Sequence, residues 1–250
     1  MKKNDIIERG FIQLIKNRID EDLDAIIIVE GKEGTGKSSL AVKLGYELDK
    51  SFSLDNIIYS MDIATNLIYS LSPGSVIIWD EACYDMSRRD AMTKTNKQII
   101  KMAMATRSRN LIHLVCIPHI EDLETYIAER RACYTLSVFM RGKTRGYYNI
   151  KFPKLYKNKH GAIKTNWITL FKNMRFKKLP TEIDIEYKNR KEKYSRAKLE
   201  DLTGQNSTDN RYNEYKEMKE MGLKDKEIAQ KWNITPAAVC QWKKKWGFIK

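Results

Sequence analysis

Short apolar runs alternate with helix-like stretches along the first 120 residues of this chain. The runs predict buried strands at Ala25–Val29, Asn56–Tyr59, Val76–Glu81 and Leu111–Cys116. Apolar residues at helical spacing predict helices over Asp5–Asn17, Ser39–Leu44, Met61–Leu71 and Thr93–Arg107. Strands that alternate with helices are typical of a parallel sheet covered on both faces.

The pattern changes after residue 130. Two alternating stretches, Ala132–Met140 and Gly146–Phe152, flank the turn residues 141–145 and predict a β-hairpin at the edge of the sheet. Residues 153–180 mix lysines with aromatic residues, and their pattern assigns no element. Glu182–Leu202 predicts a charged helix, and the polar residues 203–209 predict a linker.

Three short helices are predicted in the last forty residues. Arg211–Met221 and Lys224–Trp232 form the first two, and Thr235 caps the third with Pro236 at its first position. A basic third helix in such a unit is typical of a helix-turn-helix that binds DNA. The residues expected to contact DNA are Thr235, Gln241, Lys243, Lys244 and Lys245. A small helical bundle that contacts another protein is the alternative.

A glycine-rich motif lies between the first predicted strand and the helix after it. Residues 31–38 read G-K-E-G-T-G-K-S and fit the pattern G-x-x-x-x-G-K-[ST]. The glycines let backbone N–H groups point at phosphates, Lys37 adds a charge for the β- and γ-phosphates, and Ser38 offers a hydroxyl to Mg²⁺. The residues predicted to bind ATP here are Gly31, Lys32, Glu33, Gly34, Thr35, Gly36, Lys37, Ser38 and Ser39. A surface loop rich in glycine and lysine is the alternative.

Two acids, Asp80 and Glu81, end the third apolar run and fit a Walker B motif. An acid at the carboxyl end of such a strand lies beside the phosphate-binding loop. We expect Asp80 to hold Mg²⁺ and Glu81 to act as general base on the attacking water. Two surface acids at the end of a strand are the alternative.

Arg107 and Arg109 are candidates for the arginine that stabilises the transition state, donated across an oligomer interface. A helix C-terminus that favours cations is the alternative for this pair. Arg88 and Arg89 are further candidates. His119 follows the strand at residues 111–116 and is expected to sense the γ-phosphate, with a structural histidine as the alternative.

The net charge of this 250-residue chain is +14, and it is unevenly placed. Residues 1–140 contain 18 Lys and Arg against 20 Asp and Glu, whereas residues 141–250 contain 28 against 12. A basic field of this kind attracts polyanions, and DNA is the usual one. The alternative is an origin in a lysine-rich proteome, with lysines that are simply solvated.

Compartment is suggested by the cysteines and by the apolar runs. The four cysteines are scattered without C-x-x-C spacing, no apolar run reaches 18 residues, and the N-terminus lacks the apolar core of a secretory signal. We therefore expect reduced thiols, no zinc, no membrane span and a cytoplasmic location, in the host cytoplasm if the protein is viral.

On these motifs the chain resembles the additional-strand, catalytic-glutamate P-loop ATPases. More narrowly, it is similar to their FtsK/HerA-like branch, which includes viral DNA-packaging and Zot-domain ATPases. Gly31–Ser38, Asp80-Glu81 and Met104–Leu111 carry the likeness, within residues 20–150. That branch often has a glutamine near the end of the strand where this chain reads Cys116-Ile117-Pro118-His119. The C-terminal helices resemble DNA-binding modules of terminase small subunits and of transposase-type regulators.

The resemblance and the motifs together imply an α/β P-loop NTPase with a mainly parallel sheet, an edge β-hairpin and a small all-α helix-turn-helix domain. The expected domains are an ATPase core over residues 1–152, a basic extension with a linker helix over 153–208, and a DNA-binding domain over 209–250. We expect ATP and Mg²⁺ as cofactors, and double-stranded DNA, a homo-oligomeric ring and a capsid protein or transposase as partners.

Three functions remain open on the sequence. The first is a DNA-packaging or DNA-translocating motor of a virus or mobile element. The second is an ATP-switched DNA-binding regulator or transposition helper that does not translocate. The third is an ATPase whose C-terminus binds a protein instead of nucleic acid.

Overall fold

The computed structural model describes residues 3–59, 61–80, 107–123, 125–159, 161, 163–203, 205–232 and 234–248. Two compact units divide the chain, Met1–Tyr187 and Lys188–Lys250. The composition of the sequence predicts boundaries after residues 152 and 208. In the structure, residues 153–187 belong to the larger unit.

A seven-stranded mixed sheet forms the larger unit, in the order β2-β3-β4-β1-β5-β6-β7. The strands are β1 Ala25–Glu30, β2 Ile57–Ile58, β3 Val76–Asp80, β4 Ile112–Ile117, β5 Ala132–Arg141, β6 Thr144–Lys157 and β7 Ile163–Arg175. Strands β1 to β5 pair in parallel, and β6 and β7 add an antiparallel edge. The expected α/β class with a mostly parallel sheet is confirmed.

Helices cover both faces of the parallel strands. The helices of this unit are α1 Lys3–Asp20, α2 Lys37–Leu48, α3 Met61–Ser70 and the first turns of α4 Thr181–Thr203. Ile26, Ile28 and Ile77 pack with Ala64 and Ile68 of α3, while α1 and α2 contact β1 from the other face. Every residue of β1, β3 and β4 is buried, which explains their continuous apolar runs.

Strand β7 occupies much of the segment that the sequence pattern could not assign. It pairs along β6 from Tyr147↔Arg175 to Lys157↔Ile163. Two register shifts interrupt this ladder, one on either side of Ile150. Such bulges break the period-two alternation by which strands are recognised in a sequence.

The smaller unit is helical. Beyond the rest of α4 it contains α5 Gln205–Glu220, α6 Asp225–Lys231 and α7 Pro236–Lys245, which enclose the buried Tyr215, Met218, Ile228, Ala229 and Val239. Residues 205–209 are part of α5, so the expected polar linker is wrong there. Polar residues disfavour a helix only weakly, and tertiary packing overrides that preference. None of the described helices combines the length and the apolar character that crossing a membrane requires.

Candidate functional site

The glycine-rich loop, residues 31–36, connects the buried end of β1 to the start of α2. Gly31 has φ +151°, and a Cβ there would lie 2.3 Å from the carbonyl oxygen of Val138. Gly36 has φ +100° and is the residue just before α2. Both positions favour glycine, because an L side chain is strained at such φ values, and at Gly31 a side chain would also have no space beside Val138.

Lys37 and Thr35 hold the loop in a curved path. The Lys37 ammonium donates to the carbonyls of Gly31 at 2.7 Å and Lys32 at 3.2 Å. The Thr35 hydroxyl also donates to the Lys32 carbonyl, at 2.7 Å. The loop leads into the N-terminus of α2, whose first N–H groups lack intrahelical acceptors and favour an anion.

Ser38 and Asp80 meet beside this loop. Ser38, on the first turn of α2, donates from its hydroxyl to Asp80 Oδ1 at 2.9 Å. Asp80 is the last residue of β3 and is 3% exposed. A hydroxyl and a carboxylate are hard oxygen ligands that suit Mg²⁺, which binds through one or two protein groups and fills its shell with water and phosphate oxygens. The residues present therefore fit the expected ion.

Tyr187 is a residue of this site that sequence reasoning missed. Its hydroxyl donates to Asp80 Oδ2 at 2.5 Å, and its side chain is buried. Burial, followed by the charge and hydrogen bond of Asp80, raises the pKa of Tyr187, so it stays a neutral donor. The sequence offered no signal for this contact, since Tyr187 lies 107 residues after Asp80 in a helix dominated by charges.

Glu30 fixes the point at which the loop begins. Its carboxylate accepts hydrogen bonds from the Ser137 hydroxyl at 2.5 Å and from the Ile120 N–H at 3.3 Å, and pairs with Lys151 at 3.1 Å. Burial by itself would raise the pKa of Glu30, but Ser137 and Lys151 outweigh it and hold the pKa below its usual range. An ionised Glu30 thus ties β1 to β5, β6 and the turn after β4.

Arg145 brings a second cation to the loop. One terminal nitrogen of its guanidinium lies 3.8 Å from the position that a Cβ on Gly34 would occupy. The side chain is exposed, and no acid pairs with it among the residues that the structure describes. In the sequence Arg145 belongs to an expected hairpin turn, so only the tertiary structure reveals its position.

Arg107 and Arg109 lie at the amino-terminal ends of the parallel strands, whereas the loop lies at their carboxyl ends. They form a short 3-10 turn before β4, and β4 begins beside the first residue of β1. The loop follows the other end of β1, and a six-residue strand spans about 20 Å. Arg109 donates to the carbonyl of Leu71 at 2.6 Å, whereas Arg107 is exposed. Neither reaches the loop of its own chain, and their role in a neighbouring copy stays a prediction.

His119 lies at the same edge of the sheet as the loop. The preceding residue, Pro118, accepts a hydrogen bond from the Gly31 N–H at 3.1 Å. The His119 side chain is 61% exposed and accepts from the Glu121 N–H at 3.3 Å as the cap of a 3-10 turn. This contact gives His119 a structural task, and the sensor role stays a prediction.

Several sequence candidates lie outside the described residues. They are Glu81, Arg88, Arg89 and the part of the expected helix over residues 93–106. Lys32, Glu33 and Ser39 lie on the loop and on α2 as expected, without a described side-chain hydrogen bond of their own.

Helix α7 presents part of the predicted DNA-contacting set. Thr235 caps it by accepting from the Ala238 N–H at 3.3 Å, and Pro236 is its first residue. Gln241 and Lys244 are exposed and share one face, because they are three residues apart. Lys245 is the last residue of the helix.

Lys243 differs from its neighbours on α7. Its ammonium donates to Asp225 Oδ2 at 2.7 Å, while the Tyr215 hydroxyl donates to Asp225 Oδ1 at 2.9 Å. The hydrogen bond from Lys243, helped by Tyr215, lowers the pKa of Asp225. Lys243 therefore links α6 to α7 and is less available to a phosphate than Lys244.

No protein-family model, curated protein or solved structure matches this chain. The resemblance to FtsK/HerA-like ATPases accordingly rests on the sequence motifs that carry it, and it stays an expectation.

Proposed function

We propose that the chain is an ATPase that binds Mg²⁺-ATP at the glycine-rich loop. The observation that carries the proposal is the hydrogen bond from Ser38 to Asp80, which joins two sequence motifs 42 residues apart. On this proposal the loop N–H groups and the N-terminus of α2 bind the phosphates, and Lys37 exchanges its two carbonyl acceptors for phosphate oxygens. Ser38 and Asp80 would hold Mg²⁺, which neutralises charge that develops on the phosphates.

Hydrolysis requires a base and a cation beyond these groups. Glu81 directly follows the buried end of β3 and is our candidate general base. The approach of Arg145 to Gly34 supports a further proposal, that its guanidinium binds phosphate oxygens within the same chain. The distance of Arg107 from its own loop supports donation to a neighbouring copy, as in a ring that hydrolyses ATP between subunits.

DNA is the polyanion that we propose for the basic part of the chain. Residues 130–181 contain 14 Lys and Arg and no Asp or Glu, and they include β5, β6 and β7. Among the residues that the structure describes, three of these cations pair with acids from outside the segment: Arg131 with Asp24, Lys151 with Glu30, and Lys164 with Glu129. The exposed cations of the strand ends keep their charge available to phosphates.

The far end of the β6–β7 ribbon, residues 154–163, concentrates this charge. Lys154, Lys157 and Lys159 are exposed there, next to the half-exposed ring of Tyr156. A two-stranded ribbon fits the major groove of B-DNA, and an aromatic ring among lysines suits bases as well as phosphates. In α7, the face with Gln241 and Lys244 supports a helix-turn-helix that reads bases.

A DNA-packaging or DNA-translocating motor accounts best for an ATP site combined with so extended a basic surface. The exposed Gln241 favours a second candidate, an ATP-switched DNA-binding regulator, because an amide that pairs with adenine serves site recognition. A motor and a regulator differ in directed movement along the duplex.

Phosphate release by the purified chain tests the ATPase proposal. We expect turnover that needs Mg²⁺ and rises with duplex DNA, loss of turnover in Lys37→Ala, and normal turnover in the exposed control Lys50→Ala. Absence of phosphate release with and without DNA would refute the ATPase. If phosphate is released, a second assay separates the two candidates. Displacement of a triplex-forming strand in the presence of ATP would support the motor, and turnover without displacement would support the regulator.

A further inference from the structure

The carboxylate of Asp80 is held from both of its oxygens. Ser38 donates to Oδ1 at 2.9 Å and Tyr187 donates to Oδ2 at 2.5 Å. Tyr187 is 6% exposed and Asp80 is 3% exposed, so water does not freely replace either contact. A carboxylate fixed in this way keeps one orientation of its two oxygens.

Tyr187 reaches Asp80 because the chain before it is anchored over the glycine-rich loop. The Phe176 N–H donates to the Gly146 carbonyl at 3.0 Å, and its ring lies 3.4 Å from the position of a Cβ on Gly36. Leu179 is 9% exposed, and α4 begins two residues later at Thr181. Tyr187 thus lies on the second turn of a helix whose start is fixed against the loop.

We propose that Tyr187 is a positioning residue that orients Asp80 for a divalent cation held by Ser38 and Asp80. The inference rests on the proposed nucleotide site. The Tyr187 hydroxyl on Oδ2 leaves Oδ1 turned toward the Ser38 hydroxyl, and these two oxygens are the pair that a cation would share. Partners of this kind orient metal ligands, and their loss typically costs about 10- to 100-fold in metal affinity.

A competing arrangement predicts the opposite effect of Tyr187 on the affinity for the cation. If the Tyr187 hydroxyl instead occupied a place that the cation must take, its removal would strengthen cation binding. The substitution Tyr187→Phe separates the two cases, because it removes the hydroxyl and keeps the ring that fills the buried space.

The test is a titration of Mg²⁺ in the presence of a fluorescent ATP analogue. For Tyr187→Phe we expect the half-saturating Mg²⁺ concentration to rise about 10- to 100-fold, with unchanged affinity for the analogue in EDTA. The matched control is Tyr148→Phe, which removes another buried hydroxyl, one that donates to Glu8 at 3.4 Å. This control lacks a contact with Asp80 and is expected to keep the wild-type Mg²⁺ response.

A double-mutant cycle guards against a general loss of structure. In an Asp80→Asn background, Tyr187→Phe should have no further effect on the Mg²⁺ response, since the group that it positions is gone. An unchanged or lower half-saturating concentration in Tyr187→Phe would overturn the proposal while leaving the nucleotide site intact. If the wild-type chain shows no Mg²⁺-dependent binding of the analogue, the proposed function fails and this inference fails with it.

Discussion

The parallel strands β1, β3 and β4 and the antiparallel strands β6 and β7 belong to one sheet, but they differ in burial and charge. Every residue of the three parallel strands is buried. In β7 only Met174 is buried, and residues 130–181 carry no acid at all. At the carboxyl ends of the parallel strands lie the glycine-rich loop and the carboxylate of Asp80, whereas the antiparallel edge presents a cationic surface.

This difference fits the two tasks that we propose for the larger unit, ATP binding by the parallel region and DNA binding by the antiparallel strands. The glycine-rich loop, Ser38 and Asp80 all lie where buried strands end, so their geometry depends on a packed core. To attract a polyanion, the cations of the antiparallel strands need only be exposed and carry the same sign of charge. Arg145 belongs to both regions, since it lies on β6 and approaches Gly34.

Replacing Glu81 by Gln tests the parallel region most severely. We expect turnover to fall about 100- to 10,000-fold with ATP affinity retained, because only the proposed general base is lost. Phosphate release and equilibrium ATP binding measure the two quantities. Asp85→Asn, another acid of the same stretch of sequence, is the control, and hydrolysis by Glu81→Gln at the wild-type rate would remove Glu81 from the mechanism.

His113 makes the core of the parallel region sensitive to acid. It is buried in β4, accepts from the Trp79 indole N–H at 3.0 Å, and faces the Asp24–Arg131 pair. Burial, partly countered by Asp24, lowers its pKa to about 4. The unfolded chain takes up the proton near pH 6.5, so this stabilisation is full above that pH and declines as the pH falls toward 4.

The free energy of unfolding should consequently fall by about 2 kcal/mol between pH 7 and pH 5. Urea denaturation at the two pH values measures it. We expect His113→Gln to flatten this dependence and the exposed control His119→Gln to keep it. An equal decline in wild type and His113→Gln would show that other groups cause it.

Arg145→Ala tests the point at which the two regions meet. Loss of a charged hydrogen bond to phosphate should weaken ATP binding about 10-fold. Lys143→Ala, an exposed cation of the same hairpin, should leave ATP affinity unchanged. Competition between ATP and a fluorescent analogue measures both variants, and identical affinities would confine the chemistry to the parallel region.

The ribbon lysines test the antiparallel region by itself. Replacing Lys154, Lys157 and Lys159 together by Ala should reduce the slope of log affinity for duplex DNA against log salt by about 2.7, or 0.9 for each phosphate contact. A control triple variant of exposed cations, Lys3→Ala, Arg9→Ala and Lys50→Ala, should keep the slope. An unchanged slope in the ribbon variant would contradict the proposal that this edge of the sheet binds DNA.

Much of the parallel region could be predicted from the sequence. The observed bounds of β1, β3 and β4 lie within one residue of the apolar runs, because strands buried on both faces are apolar throughout. Ser38 and Asp80 were expected near each other, since the strand that ends in Asp80 runs parallel to β1. The fixed spacing of the glycine-rich motif and the complete burial of the strands made the loop and the strands predictable from the sequence.

Other features depend on tertiary contacts and leave no local signal. Strand β7 was missed because its bulges disturb the alternation, and Tyr187 was missed because a charged helix gives no hint of one buried hydroxyl. Lys243 looked like a phosphate ligand in the sequence, yet Asp225 of the preceding helix pairs with it. In each case the decisive partner is distant in the chain or on another element.

The most direct test of the proposed Mg²⁺-ATP site is equilibrium binding of ATP with and without Mg²⁺ to the wild-type chain and to Asp80→Asn. We expect saturable binding that Mg²⁺ strengthens in the wild type, and binding without this Mg²⁺ effect in Asp80→Asn. Ser70→Ala, which removes a hydroxyl at the exposed end of α3, should behave as wild type. Absence of saturable binding, or an equal Mg²⁺ effect in Asp80→Asn, would contradict the proposed site.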